Sequence, residues 1–117
     1  MTVIHHYSTD PYFNLAAEQF LLESEGDCFL IWRNARSVII GKNQNAFREV
    51  DLDFVKNNSI NVARRLTGGG AVFHDEGNIN YTFITDDNGG GIDFARFTEP
   101  MCDALASFGV CASLNGR

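Results

Sequence analysis

Two adjacent arginines precede a run of three glycines in the middle of the chain. Arg64 and Arg65 are followed, two residues later, by Gly68, Gly69 and Gly70. Backbone N–H groups on a stretch without side chains can form a concave site for an anion. A guanidinium can add paired hydrogen bonds to a phosphate or a carboxylate. The spacing therefore predicts an anion-binding loop.

The residues after the glycines exclude two familiar nucleotide motifs. Ala71, Val72 and Phe73 are apolar and favour a β-strand, so the loop is expected to lead into a strand. A phosphate-binding P-loop requires a lysine and a following helix, and the dinucleotide fingerprint requires a differently spaced set of glycines and a helix. Neither pattern fits this segment.

His74, Asp75 and Glu76 follow the predicted strand, and their residue types are those of metal ligands. Adjacent strand residues point to opposite faces, so these three side chains are not expected to converge on one ion. No metal site is predicted here. His74 is instead expected to be a structural residue that hydrogen-bonds to the loop.

The three cysteines, Cys28, Cys102 and Cys111, are odd in number and form no CxxC pair. They fit reduced thiols and a cytoplasmic location better than a disulfide framework. None lies in an electropositive segment, so buried, inert thiols are expected rather than a nucleophile. Trp32, the only tryptophan, is favoured as a core residue over a ligand-binding one.

Composition limits the function further. With 117 residues and 44% hydrophobic residues, the chain has room for one domain with a real core. A net charge of −6 argues against binding to a nucleic acid backbone. No apolar run is long enough to span a bilayer, so no membrane association is predicted.

The elements that must position the loop alternate irregularly between strands and helices. Residues 28–32 and 37–40 predict a β-hairpin, and residues 98–100 predict the start of a helix that ends at Gly109. Short connections between neighbouring strands favour antiparallel pairing. The predicted class is α+β, a mixed, mainly antiparallel sheet with flanking helices. The expected strands are 3–7, 28–32, 37–40, 60–63, 71–73, 79–84 and 110–114, and the expected helices are 11–24, 51–57 and 98–108.

Two further segments carry turn chemistry. The run Gly89-Gly90-Gly91 follows acidic and amide residues and is interpreted as a flexible loop. Asn115 and Gly116 form a hairpin signal after a predicted strand, with no partner strand to follow. The expectation is a domain that is incomplete at its C-terminal end.

Residues 64–75, RRLTGGGAVFHD, followed by GNINY at 77–81, resemble the signature loop of the lipoate–protein ligases. Residues 10–18 resemble that family's opening helix, and 32–34 and 38–45 resemble its first hairpin and the loop after it. The resemblance implies the α+β catalytic domain shared with biotin ligases, of which residues 1–117 would be the N-terminal part.

The resemblance also implies a chemistry. Ligases of this family use ATP and Mg²⁺ to activate lipoate as lipoyl-AMP. They transfer the lipoyl group to a lysine on lipoyl domains of 2-oxoacid dehydrogenase complexes or on the H protein of the glycine cleavage system. The residues implied in nucleotide and adenylate binding are Arg65, Gly70, Ala71, Val72 and Phe73. Those implied in lipoate binding are Trp32, Arg64, Gly68, Gly69 and His74.

One departure from the family pattern limits these implications. The family continues into an Asn-Asp pair and an essential lysine, whereas Lys42 and Lys56 lie in no matching context. We therefore expect the chain to be inactive alone, with its site completed by the remainder of a ligase or an accessory domain. Two alternatives stay open: an octanoyl or lipoyl transferase that uses a cysteine and no ATP, and a non-catalytic module that binds lipoate or lipoyl domains.

Overall fold

The computed structural model describes residues 1–24, 26–86 and 89–115. The chain divides into two compact units, Met1–Thr85 and Asp86–Arg117. Nine of the elements belong to the first unit. Its strands are β1 (Thr2–His5), β2 (Cys28–Arg33), β3 (Ser37–Ile40), β4 (Asn61–Arg64), β5 (Val72–His74) and β6 (Ile79–Ile84), and its helices are α1 (Pro11–Glu23), α2 (Ala46–Glu49) and α3 (Leu52–Asn57).

The strands form two three-stranded sheets, with the orders β1-β2-β6 and β4-β3-β5. Each sheet combines one parallel and one antiparallel pair: β1 with β2 and β3 with β4 are parallel, while β2 with β6 and β3 with β5 are antiparallel. The longest ladder is antiparallel and aligns Cys28 with Ile84 and Arg33 with Ile79. The mixed α+β class is confirmed.

The predicted hairpin between residues 28–32 and 37–40 is wrong, because β2 and β3 lie in different sheets. The polar groups of the segment between β2 and β3 do not make the hydrogen bonds of a hairpin turn. The N–H of Ala35 donates to the carbonyl of Thr9 (2.7 Å), and the hydroxyl of Ser37 donates back to the carbonyl of Ala35 (2.9 Å). Asn34, in the same connection, is fully buried. The connection is therefore a crossover between sheets.

Helix α1 begins where the sequence predicts. The carboxylate of Asp10 accepts hydrogen bonds from the N–H groups of Tyr12 (2.9 Å) and Phe13 (3.4 Å). Pro11 occupies the first turn, where a backbone N–H has no acceptor within the helix, so the N–H that proline lacks is not missed. The helix ends at Glu23, one residue before the predicted end. It contacts β2, β4 and β6, so one helix bridges both sheets.

Each sheet has its own hydrophobic cluster. Cys28, Leu30, Trp32 and Ile84 form the first on β2 and β6, with Ile4, Leu15 and Leu21 packed against it. The second consists of Ile40, Val50 and Val55, with Val38, Ala46, Ile60 and Val62 around it. The alternation of buried and partly exposed residues along β2 is the period of two that a strand imposes.

The second unit contains helix α4 (Phe94–Ser107). Its predicted start at residue 98 is wrong: Asp93 caps it by accepting from the N–H of Arg96 (3.2 Å), and Pro100 lies inside the helix. Gly109 follows its end with φ +80°, as predicted for a helix terminator. Residues 110–114 form no strand, which corrects that prediction, and Gly116 of the predicted hairpin signal lies outside the described residues.

In the described residues, none of the helices combines the length and the apolar character that crossing a membrane requires.

Candidate functional site

An open cleft of about 540 Å³ lies in the first unit, on the side of the sheets that carries the predicted loop. This volume falls in the range of small-molecule binding sites. Five of the ten predicted site residues line it: Trp32, Arg65, Val72, Phe73 and His74. Strand β5 therefore brings the apolar part of the motif to the same cavity as the tryptophan of β2.

The guanidinium of Arg65 holds the glycine loop in shape. Its Nη2 donates to the carbonyls of Gly68 (2.7 Å) and Gly70 (2.8 Å), and its Nη1 donates to the carbonyl of Ile39 (3.3 Å). These contacts tie the loop to β3 and place a positive charge beside it. Because the charge stays on the wall of the cleft, an anion bound there would meet it at short range.

Gly41 and Gly69 bring two backbone segments into close approach. A Cβ on Gly41 would overlap the carbonyl oxygen of Gly69. The nearby N–H of Lys42 donates to the carbonyl of Thr67 (2.8 Å), and Gly69 itself has φ +100°, which other residues rarely adopt. Sequence reasoning on the residue types alone missed Gly41, although it lies in the segment 38–45 that resembles the ligases.

Arg64 faces away from the main cleft. Its Nη1 donates to the carbonyls of Gly41 (3.0 Å), Lys42 (3.2 Å) and Gln44 (2.6 Å), so it secures the segment that follows β3. It lines a second cleft of about 330 Å³. Arg64 is the last residue of β4 and Arg65 follows the strand, and the two side chains line different clefts. The implied role of Arg64 in lipoate binding stays a prediction.

The other predicted residues, Gly68, Gly69, Gly70 and Ala71, lie in the loop held by Arg65 and are not among the described residues that line the main cleft. A Cβ on Gly68 or on Gly70 would meet nothing within 4 Å, whereas one on Gly69 would lie 2.8 Å from Nη2 of Arg65. The geometry thus distinguishes Gly69 from its two neighbours. Their roles in binding stay predictions.

His74 lies at the end of β5 and lines the cleft. Its Nδ1 is 3.0 Å from Nδ2 of Asn34, and its ring meets Trp32 edge-on with centroids 6.4 Å apart. Sequence reasoning expected a bond to the loop, and the partner is instead the buried Asn34. Burial, and secondly the charge of Arg65, lowers the pKa of His74 below its usual 6.5. The imidazole is therefore neutral at neutral pH.

The side chains of the cleft do not suggest a metal centre or a thiol nucleophile. Within residues 1–24, 26–86 and 89–115 no three His, Cys, Asp or Glu side chains are grouped so that they could hold a metal ion. The carboxylate of Glu18, in the cleft wall, accepts a hydrogen bond from Thr82. Cys28 is buried in the core, but Cys111 is exposed, which corrects the expectation of three buried thiols.

The cleft therefore combines an apolar wall with a cation and a neutral imidazole. Such a surface suits an amphipathic ligand, with its apolar body on Trp32 and Val72 and its acidic end near Arg65. The family model described as the lipoyl protein ligase A/B catalytic domain matches residues 10–117. The chain belongs to this family.

Two lipoate-protein ligases from bacteria are similar in sequence to this chain over most of its length. Lipoate-protein ligase 1 of Staphylococcus aureus (strain Mu50) is 49% identical over 113 residues, which are 93% of this chain and 34% of that protein. Lipoate-protein ligase LplJ of Bacillus subtilis (strain 168) is 48% identical over 112 residues, 92% of this chain and 34% of that protein. The chain spans about a third of the length of these curated relatives.

Solved structures of lipoyl protein ligases share the fold. P. falciparum LipL1, crystallised with lipoate, aligns with a TM-score of 0.87 and 33% identity over 98% of this chain and 38% of that chain. A bi-partite lipoate protein ligase from Thermoplasma acidophilum, studied with its E2 lipoyl domain, aligns with a TM-score of 0.81 and 31% identity. The alignment covers 97% of this chain and 48% of that chain. A lipoate-protein ligase A bound with ATP aligns with a TM-score of 0.75 and 31% identity over 98% of this chain and 50% of that chain.

Proposed function

We propose that this chain contributes the loop and cleft of a lipoate–protein ligase. In the first step a carboxylate oxygen of lipoate attacks the α-phosphate of ATP, which forms lipoyl-AMP and releases pyrophosphate. In the second step the amine of a target lysine attacks the acyl carbon, and AMP leaves. The observation that carries the proposal is that Arg65 both secures the glycine loop and lines the same cleft as Trp32.

The proposed roles follow the chemistry of the cleft walls and of the loop that Arg65 holds beside them. Arg65, with Gly70, Ala71, Val72 and Phe73, receives the nucleotide and the adenylate, because negative charge develops on the α-phosphate in the transition state. The lipoyl chain lies along Trp32, with Gly68, Gly69 and His74 at its acidic end, and Arg64 supports the segment behind the loop. LipL1 with lipoate and the ligase with ATP support a site for both substrates in this fold.

Mg²⁺ enters the proposal as an ion carried on the phosphates of ATP. Magnesium in nucleotide sites takes one or two carboxylates together with phosphate oxygens and waters. In the described cleft, Glu18 is the acidic side chain of the wall, and it already accepts from Thr82. The described residues therefore fit a substrate-borne ion better than a resident one.

The proposed partners are lipoyl domains, because the lysine that receives the lipoyl group lies on such a domain. The Thermoplasma ligase studied with its E2 lipoyl domain supports this class of partner. The lipoyl domains of 2-oxoacid dehydrogenase complexes and the glycine cleavage H protein are the specific candidates. A cytoplasmic location stays a prediction from the cysteine content.

The decisive experiment uses the full-length gene product, purified and incubated with lipoate, ATP, Mg²⁺ and an apo lipoyl domain. Lipoate-dependent exchange of labelled pyrophosphate into ATP, followed by a lipoyl mass increase on the domain, is the expected result. Acyl transfer from an octanoyl carrier protein without ATP would identify the transferase alternative. Lipoate binding with neither reaction would identify a non-catalytic module.

A further inference from the structure

Two asparagines are buried behind the cleft. Asn14, on α1, is 1% exposed, and Asn34, in the crossover between β2 and β3, is 0% exposed. Nδ2 of Asn14 lies 2.9 Å from Oδ1 of Asn34, and Nδ2 of Asn34 lies 3.0 Å from Nδ1 of His74. A buried chain of hydrogen bonds therefore runs from the helix to the imidazole of the cleft wall.

The donor and acceptor roles in this series of hydrogen bonds are fixed at Asn14, the member that lies farthest from the cleft wall. Nδ2 of Asn14 also donates to the main-chain carbonyls of Ser8 (3.0 Å) and Arg33 (2.8 Å). Carbonyl oxygens only accept hydrogen bonds. If the Asn14 amide were turned over, its oxygen would face both carbonyls and leave these two acceptors without a donor, whereas the observed orientation leaves only Oδ1 of Asn14 unpartnered. Asn14 is therefore a donor at this end.

The role of Asn14 as a donor then determines which atoms donate and accept at Asn34 and at His74. Nδ2 of Asn14 has two protons, which are shared among three acceptors: the carbonyls of Ser8 and Arg33 and Oδ1 of Asn34. Because this nitrogen has no lone pair and cannot accept, Asn34 presents its oxygen to Asn14, and Nδ2 of Asn34 consequently faces His74. An amide nitrogen has no lone pair to offer, so it can only donate to Nδ1. Nδ1 of His74 must therefore carry no proton, and the proton of the neutral ring resides on Nε2.

We propose that Asn34 is a positioning residue that holds His74 in the neutral Nε2–H tautomer. The ring then offers the cleft a hydrogen-bond donor in every protonation state, since the imidazolium also carries Nε2–H. A donor on this wall, beside Arg65, suits an acyl carboxylate or an adenylate oxygen. The nature of that acceptor rests on the proposed function, whereas the tautomer does not.

The surroundings of His74 support a neutral ring. The titratable groups that line the same cleft are the cation Arg65, the carboxylate Glu18 on α1 and the phenol Tyr81 on β6. Arg65 opposes protonation of the imidazole, as burial does. Glu18 is engaged with Thr82 and does not accept from the ring in the described structure.

The tautomer can be measured directly, without ligand or ATP. The full-length gene product is labelled with ¹⁵N-histidine, and the His74 signals are assigned by their loss in His74→Gln. We expect a two-bond ¹⁵N–¹H pattern with Nδ1 unprotonated and Nε2 protonated at neutral pH. A proton on Nδ1 in the wild-type protein would overturn the proposal, and this result needs no variant to fold.

The Asn34→Asp variant tests the control exerted by Asn34. A carboxylate still accepts from Asn14 but also accepts from His74, so the proton should move to Nδ1 and the pKa of His74 should rise by about one pH unit or more. Asn58→Asp, an equal charge change at the exposed end of α3, is the matched control. An unchanged His74 tautomer and pKa in folded Asn34→Asp would contradict the proposal.

The consequence for lipoate use separates positioning from a purely structural role. In Asn34→Asp the ring loses its Nε2–H donor once pH exceeds the raised pKa, so KM for lipoate should increase about tenfold across that transition. The wild type and Asn58→Asp should show no such transition. If the tautomer is as proposed but KM does not change, the positioning role fails while the proton assignment stands.

Discussion

A Cβ added to Gly41 would overlap the carbonyl oxygen of Gly69 and lie 3.0 Å from its carbonyl carbon. The glycine loop is thus seated against the segment after β3, and the bond from the N–H of Lys42 to the carbonyl of Thr67 closes the same contact. Gly41 sets the position of the loop from outside it, because only a residue without a side chain allows this approach.

Replacing Gly41 with alanine should displace the loop. We expect Gly41→Ala to lower lipoate affinity by at least tenfold and the free energy of unfolding by about 1–3 kcal/mol, the usual cost of overpacking. Isothermal titration with lipoate and urea denaturation measure the two effects. Gly90→Ala, in the second unit, is the control, because its added Cβ meets nothing within 4 Å. Equal effects of both variants would contradict the contact argument.

Arg65 is expected to matter for both loop geometry and charge. Arg65→Ala should reduce lipoate-dependent pyrophosphate exchange by about 2–4 kcal/mol of transition-state stabilisation. Arg65→Lys should restore little, because one ammonium cannot bond the carbonyls of Gly68, Gly70 and Ile39 together in a planar fork. Arg48→Ala, on α2, serves as a control for lost positive charge. Full exchange by Arg65→Lys would show that charge alone suffices.

Asn14 should contribute mainly to stability. Its Nδ2 joins the start of α1 to the carbonyl of Arg33 and to Asn34. We expect Asn14→Ala to cost about 2–4 kcal/mol in the free energy of unfolding, since it leaves buried acceptors without donors. Chemical denaturation measures this loss. Gln19→Ala, which removes an exposed bond to Glu23 on the same helix, should cost under about 0.5 kcal/mol.

The sequence predicts the local elements well where pattern and ends agree. Strand β6 occupies the predicted residues 79–84, because its alternating pattern and flanking turns define it. Helix α1 follows from Asp10 and Pro11 in the same way. The predicted start of helix α4 is too late, because Pro100 resembles a first-turn proline, whereas Asp93 provides the cap several residues earlier.

Non-local pairing is where sequence reasoning failed. Residues 28–32 and 37–40 have the pattern of a hairpin, yet the bonds of Asn34 and Ala35 to the start of α1 direct the chain into a second sheet. These bonds join residues 20 (Asn14 to Asn34) and 26 (Thr9 to Ala35) positions apart, and no local periodicity reports them. Arg65, Trp32 and His74 could be singled out by type and motif, but Gly41 and Asn34 act through contacts that only the fold creates.

The lowered pKa of His74 predicts a pH dependence of stability. Because the folded state holds a proton at His74 less tightly than the unfolded chain does, the unfolded state binds more protons as pH falls through the unfolded value of 6.5. The free energy of unfolding should therefore fall below about pH 6.5, with the full contribution present above it. Denaturation of the wild type and His74→Gln across this range isolates the component. The exposed His5→Gln should retain it.

Trp32 belongs both to the hydrophobic core and to the wall of the cleft. It is 5% exposed and packs with Leu30 in the cluster of the first sheet, and it also lines the cleft beside His74. If the wall position matters, Trp32→Phe should lower lipoate affinity by about tenfold while reducing the free energy of unfolding by only about 1–2 kcal/mol. Lipoate binding is followed by calorimetry, since the variant lacks the tryptophan.

Leu30→Ala is the matched control for that prediction. Leu30 belongs to the same cluster and is 2% exposed, but it is not among the described residues that line the cleft. Its truncation should cost about 2–5 kcal/mol in the free energy of unfolding. At a temperature where both variants are folded, its lipoate affinity should equal that of the wild type. If Leu30→Ala instead weakens lipoate binding as much as Trp32→Phe does, the effect of Trp32 comes from core stability, and its place in the cleft wall contributes nothing to recognition.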